Sequence, residues 1–367
     1  MPNASLRRPF TSLARLSLSA TALVFGIGVV GAAPSEPQPG QLAEPPRLLS
    51  DTGLYAPDST TEVRAANLPF TPQYPLWSDG ASKRRWLYLP PGTFIDASRP
   101  DAWDFPRGTR VWKEFAYGRP VETRYIERRA DGSWLYATYV WNDAGSDAVL
   151  APAAGVRSLP VAGAPGERYE IPARFDCLAC HEGAAAPLLG VSALQLSPDR
   201  DPLAAHGASA AMSEVDLSGL VARGRLRHLP AGLLGRAPRI AATSPSARAA
   251  LGYLHGNCGH CHNHNGAPAP VRLTLAQSVE SAEASSVRVL SSVVGAPSRY
   301  RVPGAASATT LVEPGRPEAS VLALRMRSRQ ALMQMPPLGS RHPYAQGLAL
   351  IERWITHVLS SPKEPQP

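Results

Sequence analysis

LGYLHGNCGHCHN, residues 251–263, sets two thiols three positions apart, Cys258 and Cys261, with His262 directly behind them. The pattern recurs as Cys177-Leu-Ala-Cys180-His181, and the two copies use all four cysteines of the 367-residue chain. C-x-x-C-H is the attachment signal for c-type haem. The spacing has a chemical reason. Two sulfurs on one helical turn can add across the two vinyl groups of a haem, and the next histidine then reaches the iron as proximal ligand. Two other uses of four cysteines compete with this one. They could form a pair of disulfides, in any of three pairings, or a structural zinc site, which needs four ligands but not this pattern. Two full copies favour two haem c groups, held covalently at Cys177, Cys180, Cys258 and Cys261, with His181 and His262 as iron ligands.

Such haems are attached outside the cytoplasm, and the start of the chain agrees. Arg7, Arg8 and Arg15 precede the apolar run LSLSATALVFGIGVVGAA at 16–33, the order of a secretory leader. A cut after Ala32 predicts a signal peptide over 1–32 and a periplasmic protein. Left uncleaved, the run could just span a bilayer and tether the chain to the membrane, a use that Ser17, Ser19 and Thr21 weaken. Residues 33–46 read as a Pro-rich tether.

The formal net charge of +8 falls to +5 when Arg7, Arg8 and Arg15 leave with the leader. The propionates of two haems would nearly cancel the remainder. No nucleic-acid module is visible, so a nucleic-acid partner is not expected. The densest positive cluster, KRR at 83–85, reads as a strand edge or solvated turn, with a partner-docking patch as the alternative. Hydrophobic residues make up 44% and charged residues 18%, enough for packed cores. The 38 prolines and 30 glycines predict many turns. A single long apolar run excludes a polytopic membrane protein.

The region 244–360 reads as helical. Ser244-Pro245 is a cap and first-turn pair; Ala247, Ala250, Leu251 and Leu254 then form one face leading into Cys258. RPEASVLALRMRS, 316–328, predicts a shorter helix with Pro317 near its start. YAQGLALIERWITHVLSS, 344–361, places Leu348, Ile351, Trp354, Ile355 and Val358 on one stripe. Between them stands Gln334-Met335-Pro336-Pro337-Leu338-Gly339. This block resembles a class I cytochrome c domain, and the resemblance implies Met335 as sixth ligand of the second haem. Prolines would stiffen that loop, and a thioether ligand raises the reduction potential. Met333 and Met326 are the fallback ligands, Met326 being expected on the inner face of its helix. His255, His260 and His264 are expected at the surface.

The region 47–200 reads as strands: 85–89, 109–115, 121–126 and 133–141 are rich in β-branched and aromatic residues. Tyr117-Gly118-Arg119-Pro120 and Asp131-Gly132 fit hairpin turns. Six of the seven tryptophans lie here, as a packed sheet core or, alternatively, a stacking platform for substrate. The order of strands followed by C-x-x-C-H is similar to the small β-sheet cytochromes called cytochrome c-prime-beta, and to their relatives with a lysine–haem cross-link. Phe105-Pro-Arg-Gly108-Thr109-Arg-Val-Trp-Lys113-Glu114 matches their strand motif. The resemblance implies that Lys113 lies on the distal side of the first haem. As a plain strand residue, Lys113 would instead point outward and pair with Glu114 or Glu122. If His181 is the sole strong ligand, the first iron is open to a small molecule; His206 or Met212, in the connector 201–243, could otherwise fill the sixth position. One helix is expected there, Ser213 to Arg223, closed by Gly224.

Over its length the chain resembles an uncharacterised family of bacterial dihaem c-type cytochromes, through PLWSDGASKRRW (75–86), ETRYIERRADGSW (122–134), TYVWND (138–143), SALQLSPDRDP (192–202) and LGYLHGNCGHCHN. The fold expectation is α+β: an antiparallel β-sheet haem domain over 47–200, then an α-helical class I cytochrome c-like domain over 244–360. The leading functional expectation is an electron carrier between its two haems and a redox partner protein in the periplasm. The alternative is a haem enzyme or gas-binding protein, with open iron at the first haem and the second as relay.

Overall fold

Runs rich in β-branched and aromatic residues build a six-stranded sheet. The computed structural model describes residues 44–205, 214–266 and 272–359; the expected leader, nearly all of the tether, His206 and Met212 lie outside them. The strands are β1 (Leu68–Pro69), β2 (Ser82–Tyr88), β3 (Ile95–Asp96), β4 (Arg110–Tyr117), β5 (Arg119–Arg128), β6 (Trp134–Trp141), β7 (Ala148–Leu150), β8 (Val156–Pro160), β9 (Arg168–Ile171) and β10 (Leu226–Arg227). The main sheet runs β1-β2-β4-β5-β6-β7, and its neighbours are antiparallel. Gly118 and Gly132 take positive φ, 70° and 91°, at the two hairpin turns, where a side chain would be strained.

The helices are α1 (Arg174–His181), α2 (Leu217–Ala222), α3 (Gly232–Gly235), α4 (Pro245–Asn257), α5 (Ala282–Val293), α6 (Val321–Arg327) and α7 (Ala345–Arg353). The fold is therefore α+β. Among the described residues no helix is long and apolar enough to cross a membrane.

The two faces of the sheet do different work. One carries Trp86, Trp112, Tyr125, Leu135, Ala137, Tyr139 and Trp141, closed over by Leu49, Leu54 and Tyr55 from the segment before the sheet. Trp112 Nε1–H donates to Thr52 Oγ1 at 2.9 Å and Trp141 Nε1–H to Thr123 Oγ1 at 3.0 Å, so burial of these rings leaves neither indole donor unpaired. The opposite face turns Leu87 and Val111 into a larger core, which also takes Leu251 and Leu254 of α4, Val289 of α5, Leu350 and Ile351 of α7, and Trp354.

Three elements differ from the sequence reading. KRR 83–85 lies within β2, paired with β4 but beyond the reach of β1, and Arg84 is exposed as a strand edge predicts; Arg85 differs, turning inward at 8% exposed. The connector helix starts later, at Leu217, because Asp216 caps it by accepting Gly219 N–H at 2.7 Å. The helix α5 was not expected; its serines interrupt the apolar stripe, and Ser285 and Ser286 turn inward to donate to Gln277 Oε1.

The segment before β2 packs on α4 at glycines. A Cβ at Gly252 would lie 2.0 Å from the Tyr74 ring, and one at Gly256 would lie 2.3 Å from the Tyr74 carbonyl oxygen. Trp77 N–H donates to Asn257 Oδ1 at 2.8 Å, and its ring stacks on Tyr344 at 4.2 Å. Alanine is the better helix former by about 1 kcal/mol, yet overpacking costs about 1–3 kcal/mol. Gly256→Ala is therefore expected to lower stability, read as a fall in the urea midpoint; an unchanged or higher midpoint would contradict the close packing.

Candidate functional site

Both C-x-x-C-H motifs stand at the C-terminal end of a helix. In α1, Asp176 Oδ2 accepts Ala173 N–H at 2.9 Å, which starts the helix soon enough to carry Cys177, Cys180 and His181 on its last turns. In α4, Ser244 Oγ accepts Ala247 N–H at 3.1 Å. Beyond its end, the Cys258 carbonyl accepts from the N–H groups of Cys261 at 3.1 Å and His262 at 2.8 Å.

The two helix ends meet. The sulfurs of Cys180 and Cys261 and a ring nitrogen of His260 all lie within 4.8 Å of one another. Cys261 Sγ is 3.5 Å from the Ala179 carbonyl oxygen. A Cβ on Gly183 would fall 2.8 Å from Gly266 Cα, so the peptides following each motif touch backbone to backbone. All four cysteines are free. The Cys261 thiol at Cys180 pushes the Cys180 thiol to lower pKa and its own to higher.

His181 is held by one nitrogen. Its Nδ1 lies 2.5 Å from the Pro187 carbonyl oxygen. A carbonyl only accepts, so Nδ1 carries the proton and Nε2 keeps its lone pair, the state of an imidazole ready to ligate a metal. Burial pushes its pKa down to about 4, and Tyr136 covers it at a ring separation of 5.0 Å. His262 is anchored through its backbone, its carbonyl accepting Leu275 N–H at 2.8 Å. Its Nδ1 is buried without a hydrogen-bond partner among the described residues. Burial first, and Arg325 second, hold its pKa down.

Arg325 also fastens the loop of Met335. Met335 N–H donates to the Arg325 carbonyl at 3.0 Å, and Arg325 Nε–H donates to the Met333 carbonyl at 2.9 Å. Met326 is buried in the main core and Met333 packs against the cluster of Val302, Ala308 and Val321. Met335, half-buried, belongs to neither cluster.

Lys113 sits on β4 between Arg85 of β2 and Arg124 of β5, close enough to His181 for its charge to act on the imidazole. The expected carboxylate partners are taken. Glu114 holds Arg84 at 2.8 Å on the other face. Glu122, fully buried, holds Arg124 at 2.5 Å and the Tyr169 hydroxyl at 2.5 Å. Two histidines also differ from expectation. His255 is half-buried and its Nδ1 accepts Gln277 N–H at 3.0 Å, while His260 turns to Cys180 instead of solvent. His264 is exposed.

Sequence reasoning missed Pro187, Gly183 and Gly266, and it placed neither Arg85 beside Lys113 nor Glu122 against Arg124. Arg85 and Glu122 could have been found from strand alternation, since each shares the Lys113 face; a carbonyl such as that of Pro187 leaves no mark in a sequence. In comparisons with family models, with curated proteins and with solved structures, nothing matched the chain.

Removing one member of a buried ion pair strands the other, at about 3–5 kcal/mol. Glu122→Leu is therefore expected to destabilise the protein by about that amount, against about 0–1 kcal/mol for Asp143→Ala, whose partner Arg119 is exposed. Paired denaturation curves of the two variants check the contrast.

Proposed function

We propose that the chain is an exported electron-transfer protein with two covalently attached haem groups, of the kind its sequence resembles among bacterial dihaem c-type cytochromes. In this reading 47–200 and the first motif form a β haem domain, 244–360 forms a class I-like domain, and 201–243 connects them. The observation that carries it is the meeting of the two C-x-x-C-H helix ends at Cys180 and Cys261, which leaves no insulating layer of protein between the attachment points.

The residues present suit the group. Cys177 and Cys180, and Cys258 and Cys261, are free thiols available for thioether links. Pro187 fixes the tautomer of His181, leaving Nε2 for iron. His262 offers a buried imidazole whose Nδ1 is unsatisfied among the described residues. Met335 is the thioether left over from the apolar clusters, on the loop that Arg325 ties down. When bound, each haem supplies a one-electron ferric–ferrous couple. A methionine ligand places the second couple above the first in potential, so an electron entering at the first site would run toward the second and on to a periplasmic redox partner.

A second reading, an open iron at the first motif that binds or transforms a small molecule, is favoured by Lys113, which has no hydrogen-bond or ion-pair partner among the described residues and acts on His181. Ferric absorption spectra separate the two: low-spin signals from both sites support the carrier, and a high-spin component that shifts with cyanide supports the open iron.

Acid–acetone extraction of protein made in a haem-attaching periplasm is expected to leave the colour on the chain, with two haem masses by mass spectrometry. Cys258→Ala with Cys261→Ala should leave one. Met335→Ala should lower the higher of the two midpoint potentials while both haems stay attached. Pigment that washes out, or an unmoved potential, counts against the assignment.

A further inference from the structure

One face of the sheet carries more buried positive charge than its neighbours balance. Arg85, Lys113 and Arg124 stand side by side in register on β2, β4 and β5, and Lys83 lies two places along the same face of β2. Glu122 is the carboxylate of that face, already bonded to Arg124 and Tyr169. Lys83 donates to the Leu76 carbonyl at 2.9 Å, and Asp79 acts on it from a distance. Arg85 is 8% exposed, and no side-chain hydrogen bond or ion pair holds it among the described residues. The carboxylate that acts on it is Glu214, which accepts from Thr71 Oγ1 at 2.9 Å. Lys113 is likewise without such a partner; its ammonium lies 4.8 Å above the Phe115 ring.

The physical tension is visible in the titration of these groups. Burial, reinforced by mutual repulsion, pushes Lys83 down to about 7 and Lys113 well below the usual lysine range, and burial brings Arg85 down to about 10. Buried cations persist in folded proteins where an anion or a hydrogen-bond cage offsets the loss of water. The row also borders the first motif: Tyr136 of β6 lies 5.0 Å from the His181 ring, and Thr138, the next residue on that face of β6, stands in register with Arg124.

The geometry points to an anion site over Arg85 and Lys113, with Lys83 at its margin, that takes an oxygen anion beside the first C-x-x-C-H motif. The guanidinium fork offers two parallel donors to a pair of oxygens, and the lysine adds a point charge. Two sources supply that chemistry: the carboxylates of a porphyrin held at Cys177 and Cys180, or a small free oxyanion. Only the first source rests on the haem reading.

The test uses the purified full chain at constant ionic strength, as wild type, Arg85→Leu and Arg85→Lys, with folding checked by circular dichroism. Nitrite and formate are titrated by calorimetry, and midpoint potentials are measured in parallel. A free-anion site gives saturable binding that weakens at least tenfold in Arg85→Leu and recovers partly in Arg85→Lys. A site filled by porphyrin carboxylates gives no such binding, but Arg85→Leu lowers the potential of the first haem, because a nearby cation disfavours the oxidised state, and Arg85→Lys restores it. Where Arg85→Leu does not fold, Lys113→Met is read the same way. Unchanged anion binding together with an unchanged first-haem potential overturns the site. If the chain carries no covalent haem, the functional reading fails on its own, and the nitrite and formate titrations alone decide the row, absence of saturable binding then overturning it.

Discussion

Gly183 comes so close to Gly266 that it has no room for a side chain against that backbone, while a Cβ on Gly266 would run into Cys261 of its own motif. That contact makes one site out of two motifs separated by some eighty positions in the chain. It requires each helix to start at the right point, which Asp176 secures for α1 and Ser244 for α4. It also requires α4 to lie against the segment before β2, which the glycines at 252 and 256 permit and Trp77 fastens through Asn257. A larger residue at any of these glycines would separate the thiols before it disturbed the sheet.

The sheet divides its labour between faces. Large aromatic rings bury about 150–250 Å² each, and Trp86, Trp112, Tyr125, Tyr139 and Trp141 lie on one side. That side can hold the strands together without help from a bound group. The other side is then free to carry residues that a plain core would not tolerate: Arg85, Lys113 and the Glu122–Arg124 pair. The face against which the first motif packs thus carries both this charge and, at Leu87 and Val111, the edge of the larger core.

Much of this was legible in the sequence. β-Branched and aromatic enrichment in 109–115, 121–126 and 133–141 and the turn glycines at 118 and 132 foretold β4 to β6, because strand propensity and positive φ are local properties. The helix before Cys258 was legible for the same reason, through its cap and apolar stripe. Within KRR 83–85 only Arg85 misled, because charge normally marks solvent, as it does at the exposed Arg84, and the inward turn of Arg85 shows only in the register with β4. The carbonyl that orients His181 and the approach of Gly183 to Gly266 depend on where distant backbone arrives, which no local pattern encodes. Likewise α5 escaped notice because its inward serines are satisfied by Gln277, a partner outside the helix.

The stack of Trp77 on Tyr344 has a consequence for the life of the chain. Tyr344, Ile351 and Trp354 are synthesised after both motifs, yet they close the core that Leu87 and Val111 open. Contacts of such long reach form late, and synthesis proceeds at only about 5–20 residues per second. For seconds, then, the nascent polypeptide is a half-finished wall with its thiols in the open. Whatever chemistry is to happen at those sulfurs has its widest access before α7 closes over that core.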